Sequence, residues 1–243
     1  MARGEPYPRW LPDSFGGLGS PAFVFYPPLA FHVDALVAAA TFRLLDVPRR
    51  LGVTAFVLLW GSGLGMRAWL RGQAGPRVAF WAAAAYMAAP YHLMDHYWRG
   101  ALAEFSFATV LPLALLGLRA ALRSRAGVPA LAGGIALATL AHLPSALLAC
   151  VTVLPMHALW RAGRRPAALW RCAAGGVLGL ALAAAYLVPA LSMQSSVSVT
   201  VPRKTCSTSS TRPWQHALSQ RYEEASDGSA SPTRSSVTRC TKS

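Results

Sequence analysis

The sequence predicts an all-α fold, a polytopic bundle of membrane-crossing helices. Three observations carry that expectation. Hydrophobic residues fill 54% of the chain and charged ones only 13%, about half the charged share of a soluble domain. Apolar runs recur six or seven times, several of them near the roughly 20 residues a crossing helix needs. Tryptophans fall at the ends of those runs (Trp60, Trp69, Trp98, Trp160 and Trp170), as an interfacial belt requires.

Residues 1–21 are polar and rich in Pro and Gly, lack the apolar stretch of a signal peptide, and read as an outer-face loop. The helical domain is expected over 22–191. Its first run, 29–45, carries His32 and Asp34. The second, 51–70, is interrupted by Gly61, Gly63 and Gly65, and 78–93 is shorter and contains Pro90. The run 101–122 stays strongly apolar despite Glu104 and Pro112. Then come 128–140, ending at His142 and Pro144, the run 145–160, and 169–191, the strongest of all. Runs this long exclude barrel strands, which alternate over about ten residues. In the last run Ala173, Ala174, Gly175, Gly176 and Gly179 allow close helix approach.

The net charge of +14 comes from scarce acids and many arginines rather than from a nucleic-acid surface. Arg119, Arg123 and Arg125 follow one run, and Arg161, Arg164, Arg165 and Arg171 another, whereas the turn at His142 has no basic residue. The positive-inside rule makes those arginine loops cytoplasmic, with lipid headgroups as their nearest partners. Asp95, Arg99, Glu104 and His142 then approach the outer face. A conflict arises at 51–70. Arg49 and Arg50 precede it and Arg67, Arg71 and Arg77 follow, so a full crossing and a re-entrant path both stay open.

Residues 192–243 change character. They hold 14 Ser and 7 Thr, one Leu (Leu218), both lysines, and no Ile or Phe, a disordered composition. The break after Pro189-Ala190-Leu191 also fits out-of-frame translation, with a frameshift near 192–198. Four scattered cysteines without a CxxC pair exclude a disulfide scaffold and a cysteine zinc site.

Three constellations could carry chemistry. The stretch 91–104 is the densest in ionisable groups, with His92, Asp95, His96, Arg99 and Glu104. Asp95 and Arg99 have the spacing of a helical ion pair, and His92 and His96 share it. Two histidines and a carboxylate also suit a metal. Alternatively Arg99 grips a phosphate with its planar fork while Asp95 or Glu104 orients a hydroxyl or a metal. At His142-Leu143-Pro144-Ser145, the histidine is either a proton-transfer group or a satisfied interfacial one. The glycines at 16–19 lead into Tyr26-Pro27-Pro28 without the strand and helix of a dinucleotide fingerprint. They form either a membrane-entry turn or the rim of an outer cavity. No Ser-His-Asp, Walker or deaminase pattern occurs.

Taken in order, PRWLPDSFGGLGSPAFVFYPPLAFHVDAL, PYHLMDHYWRGALAEFSFATVLPLAL, a His-Leu-Pro turn and AAAYLVPAL resemble a bacterial membrane family, the "6-pyruvoyl-tetrahydropterin synthase-related" family. That family is similar to YfhO-like and GT-C-type glycosyltransferases. The resemblance covers roughly residues 7–191 and implies a multi-pass protein of the inner membrane. It implies transfer of sugar from a polyprenyl-phosphate carrier at the outer face, with a divalent cation as helper and no other cofactor. The family's catalytic acid would lie in the first outer loop, before Met1, so the chain is expected to be a fragment. Arg99, Tyr26 and His96 are then the expected substrate-binding residues, and Asp95, Glu104 and His142 the remaining catalytic candidates. A non-catalytic transporter or scaffold is the alternative.

Overall fold

The computed structural model describes residues 9–12, 17, 19–163 and 165–193. The tail expected over 192–243 lies outside them from residue 194 onward. Among the described residues the fold is all-α. Ten helices run in order: α1 (Ala22–Phe25), α2 (Leu29–Ala40), α3 (Val47–Met87), α4 (Pro90–Tyr97), α5 (Leu102–Arg123), α6 (Val128–Ala141), α7 (Leu143–Leu148), α8 (Leu154–Ala162), α9 (Pro166–Leu182) and α10 (Ala184–Ser192). A π-helical turn, Ala149–Val153, joins α7 to α8. The one β feature is a bridge pairing Leu11 with Ser20.

The 41-residue α3 is not straight. Gly75 has φ 77° and ψ 167°, a conformation open essentially to glycine alone, and Pro76 follows it. Gly63 stands 12 residues before Gly75 and Met87 12 after it. Yet the Met87 side chain fills the space a Cβ on Gly63 would take. Twelve helical residues extend about 18 Å, so the two arms must fold back on each other. The helix is therefore a hairpin with arms 47–74 and 76–87, the second prolonged by α4.

Around this hairpin the bundle closes. The first arm lies parallel to α5, with Thr109 Oγ1 donating to the Leu58 carbonyl at 2.8 Å and Arg119 to that of Gly72 at 3.0 Å. α6 returns against α5, and α9 lies on α6 through Gly175 at Leu131 and Gly179 at Ile135. Leu115, Leu118, Leu131, Ile135 and Leu154 are buried at the centre.

The hairpin resolves the arginine conflict. Its tip carries Arg71 and Arg77, and Arg119 and Arg161 bind groups of that tip. The α5–α6 and α8–α9 connections lie at the same end, where Arg171 donates to the Ala121 and Leu122 carbonyls. Those carbonyls belong to the last turn of α5, which has no intrahelical donors left for them. The opposite end holds the described acids, Asp34, Asp46, Asp95 and Glu104, each paired with Arg49, Arg50 or Arg99.

Three helices are long and apolar enough to cross a membrane, Val47–Tyr97, Leu102–Arg123 and Leu143–Ala162. A fourth is gained if Pro166–Leu182 and Ala184–Ser192, bent by 66°, are taken together. This corrects the six to seven segments expected. The runs 51–70 and 78–93 belong to one continuous helical stretch folded at Gly75. The runs 29–45 and 128–140 form helices too short for the criterion.

Prolines inside these helices remove an N–H and orphan the carbonyl four residues back. Several of those carbonyls find side-chain donors. The Ala108 oxygen, orphaned by Pro112, accepts from Tyr86 Oη at 2.7 Å. Gly72, opposite Pro76, accepts from Arg119, and Ala185, opposite Pro189, accepts from Arg9 at 3.2 Å. The Tyr86 bond is the more sheltered of the three, where water is the poorest substitute for a lost donor. Tyr86→Phe is therefore expected to cost about 1–3 kcal/mol, the penalty of one buried unsatisfied acceptor. Denaturation in detergent measures it, and a variant as stable as the parent would show that another donor reaches Ala108.

Candidate functional site

The site forms where α4 meets α5. Positions 91, 95 and 99 stand at i, i+4 and i+8, so Tyr91, Asp95 and Arg99 align on one face. The chain then turns at Gly100, φ 61°, and α5 brings Glu104 back toward them. Arg99 Nη1 is the hub. It donates to Asp95 Oδ1 at 2.8 Å and Tyr91 Oη at 3.3 Å, and lies 2.9 Å from Glu104 Oε2. Tyr91 in turn donates to Glu104 Oε1. The Asp95 side chain is only 3% exposed, whereas Arg99 is 46% exposed. The Tyr91 hydrogen bond, then the Glu104 charge, raise the Arg99 pKa above its ordinary value, so the guanidinium stays charged.

Beside the cluster lies a cavity of about 410 Å³. Tyr91, His92, Asp95, Glu104 and Ser145 give it polar walls, and Phe107, Leu111, Leu148 and Val153 apolar ones. A space apolar along one side and polar along another suits an amphiphile whose head reaches the carboxylates.

The residues singled out from sequence divide at this site. Asp95, Arg99 and Glu104 come together. His142 reaches the cavity through Ser145, whose Oγ lies 2.7 Å from His142 Nδ1. His96 packs its ring on Phe105, centroids 5.2 Å apart, and its Nδ1 is buried without a partner. Tyr26 stacks edge-on with Phe23 and Phe31 in an aromatic knot before α2, and no described contact joins it to Arg99. Tyr91, His92 and Ser145 also line the cavity; of these, only His92 was singled out, by its spacing from His96. The signal for Tyr91 was its spacing of four from Asp95. His92 is buried, with Nδ1 3.4 Å from the Tyr86 carbonyl, which also accepts the Ala89 N–H, and Nε2 unpartnered.

A divalent cation does not fit these residues. Among the described residues no three His, Cys, Asp or Glu side chains converge on one point. Both nearby carboxylates are held by Arg99. Hard cations need several oxygen ligands, which these two arginine-bound carboxylates do not supply. Comparison with family models, curated proteins and solved structures finds no match to this chain.

Proposed function

We propose that this chain is a multi-pass protein of the bacterial inner membrane, its arginine end in the cytoplasm and the Arg99 cluster at the outer face. There it serves a GT-C-type transfer of sugar from a polyprenyl-phosphate carrier. The observation that carries the reading is the cavity, whose apolar wall suits an isoprenoid chain and whose polar rim is formed by Tyr91, Asp95 and Glu104, the three partners of Arg99. Arg99 engages its carboxylates through Nη1 and so leaves its other N–H groups for a phosphate oxygen.

Two further observations support a lipid setting. Large apolar side chains cover the outside of the helices, with Trp81, Met156 and Val177 each 71% exposed, far beyond the patches water tolerates. Arginines are more numerous at the end opposite the acids, where Arg71, Arg77, Arg119, Arg161 and Arg171 gather, a bias that agrees with the positive-inside rule. A second reading, a non-catalytic scaffold, is favoured by the clamp that Arg99 makes between α4 and α5.

Transfer of labelled sugar from a polyprenyl-phosphate donor, in membranes carrying the full-length homologue, separates the two. Loss of transfer in Glu104→Ala supports the enzyme, and no transfer by the parent favours the scaffold. Orientation is tested in a background lacking the native cysteines. Tyr97→Cys should react with an impermeant maleimide in intact cells, and Ala74→Cys, at the hairpin tip, only after permeabilisation. The reverse pattern would overturn the topology.

A further inference from the structure

We propose that the arginine end holds an anionic phospholipid between α5, α8 and α9, its phosphate on Arg123 and Arg165 and a hydrocarbon chain in the adjoining apolar cavity. The proposal rests on the membrane reading above but not on the glycosyltransfer reading.

Charge is the first argument. The four acids among the described residues are all paired with Arg49, Arg50 or Arg99 at the other end. Arg123, Arg165 and Arg171 line one opening between the last turn of α5 and the first turn of α9. Arg171 is anchored there, donating from Nε and Nη2, each at 2.8 Å, to the Ala121 and Leu122 carbonyls. No side-chain hydrogen bond or ion pair engages Arg123 or Arg165 among the described residues. The positive end of the α9 dipole, at Pro166, opens on the same place and favours an anion. Three guanidinium groups facing one opening without a carboxylate repel one another until an anion joins them.

Continuity is the second argument. A cavity of about 480 Å³ starts one helical turn away, since Leu118 lines the cavity and Leu122 the opening. Along α9 the lining passes from Ala168 and Arg171 to Leu169 and Cys172. Beyond them the walls are aliphatic, from Leu131, Ile135, Leu154 and Leu180, and the thiols of Cys150 and Cys172 are the only polar side-chain groups. Nothing stands within 4 Å of a Cβ built on Gly176, which faces this space. Val177 and Leu159, also in the lining, are 71% and 58% exposed, so the cavity opens sideways where lipid would lie. A wide basic opening of about 680 Å³ beside an apolar cavity of about 480 Å³ offers the headgroup and chain of a phospholipid their separate surroundings. A free phosphate would leave the cavity unfilled, and a zwitterionic lipid would bring a cation toward the arginines.

The experiment uses the full chain purified in detergent, with native mass spectrometry reading retained lipid from an equimolar mixture of phosphatidylglycerol and phosphatidylcholine. Phosphatidylglycerol is expected to be retained about thirtyfold over phosphatidylcholine, from roughly 1 kcal/mol for each of Arg123 and Arg165. The double variant Arg123→Gln/Arg165→Gln should abolish the preference. Gly176→Leu, which fills the cavity from an unobstructed position, should reduce retention of both lipids. Excess glycerol 3-phosphate should displace neither. Equal retention of the two lipids, an unchanged preference in the double variant, or displacement by glycerol 3-phosphate would each overturn the site. Alkaline carbonate extraction separates this from the wider reading. Release of the chain by carbonate overturns the membrane assignment and the site together, whereas resistance with no lipid preference overturns the site alone.

Discussion

Gly117→Leu should force α5 and α6 apart and destabilise the bundle by about 3 kcal/mol, the upper end of the usual overpacking cost. A Cβ on Gly117 would stand 2.6 Å from the Ala130 carbonyl oxygen and 2.6 Å from the Leu131 backbone. These are backbone atoms of a facing helix, so no side-chain rotation makes room. The contact is reciprocal, because a Cβ on Gly134 would stand 2.7 Å from the Ala114 Cα. Two helices that meet backbone to backbone gain dispersion contacts along their whole length, and in lipid such packing replaces the missing hydrophobic drive between helices. Gly133→Leu is the control. It sits one residue away on the same helix, with nothing within 4 Å of its Cβ, and gains the helix propensity that glycine lacks. Unfolding in detergent should place the two variants on opposite sides of the parent. Equal stability of the pair would mean that α5 and α6 are not held by this contact.

That contact was only partly legible in the sequence. Small residues in a crossing helix signal close approach, and Gly175 and Gly179, flagged on that ground, do pack on Leu131 and Ile135. Their neighbour Gly176 faces open space instead, because it lies on another face of the helix. Gly117 and Gly134, which bring the backbones of α5 and α6 together, sit in runs of leucine and alanine where nothing separates the packed Gly134 from its open neighbour Gly133. The helical class was legible because hydrophobic runs this long fit nothing else. The number of crossing helices was not, since Gly75 turns one helical stretch back on itself through a backbone angle that composition does not encode. In the site, Asp95, Arg99 and Glu104 were readable from helical spacing and from the scarcity of acids. The packing of Tyr26 on Phe23 and Phe31 was not readable, because helical spacing does not encode it.

Arg99→Leu should unfold or severely weaken the carboxylate end, whereas Arg99→Lys should keep the fold and lose transfer about 10²- to 10³-fold, the usual effect of removing one positioned electrostatic donor. One nitrogen, Nη1, serves Asp95, Glu104 and Tyr91 at once. Without it the Asp95 carboxylate, nearly sealed from solvent, keeps no cation and faces the Glu104 charge. An ammonium at the same place restores one positive centre, yet it has no second nitrogen for a carrier phosphate. The clamp that Arg99 makes and the phosphate contact proposed for it therefore separate by substitution. Removing the three charges together, in Asp95→Asn/Arg99→Leu/Glu104→Gln, should recover much of the stability lost by Arg99→Leu alone, because a buried ionic network is often no more stable than neutral groups of its own shape. It should not recover transfer. Thermal unfolding of the three variants beside the sugar-transfer assay gives the answer. If Arg99→Lys transfers sugar as well as the parent, Arg99 is a clamp between α4 and α5 and the phosphate must be held elsewhere. If the triple variant is no more stable than Arg99→Leu, the unpaired charges are not what weakens the end, and shape at position 99 is.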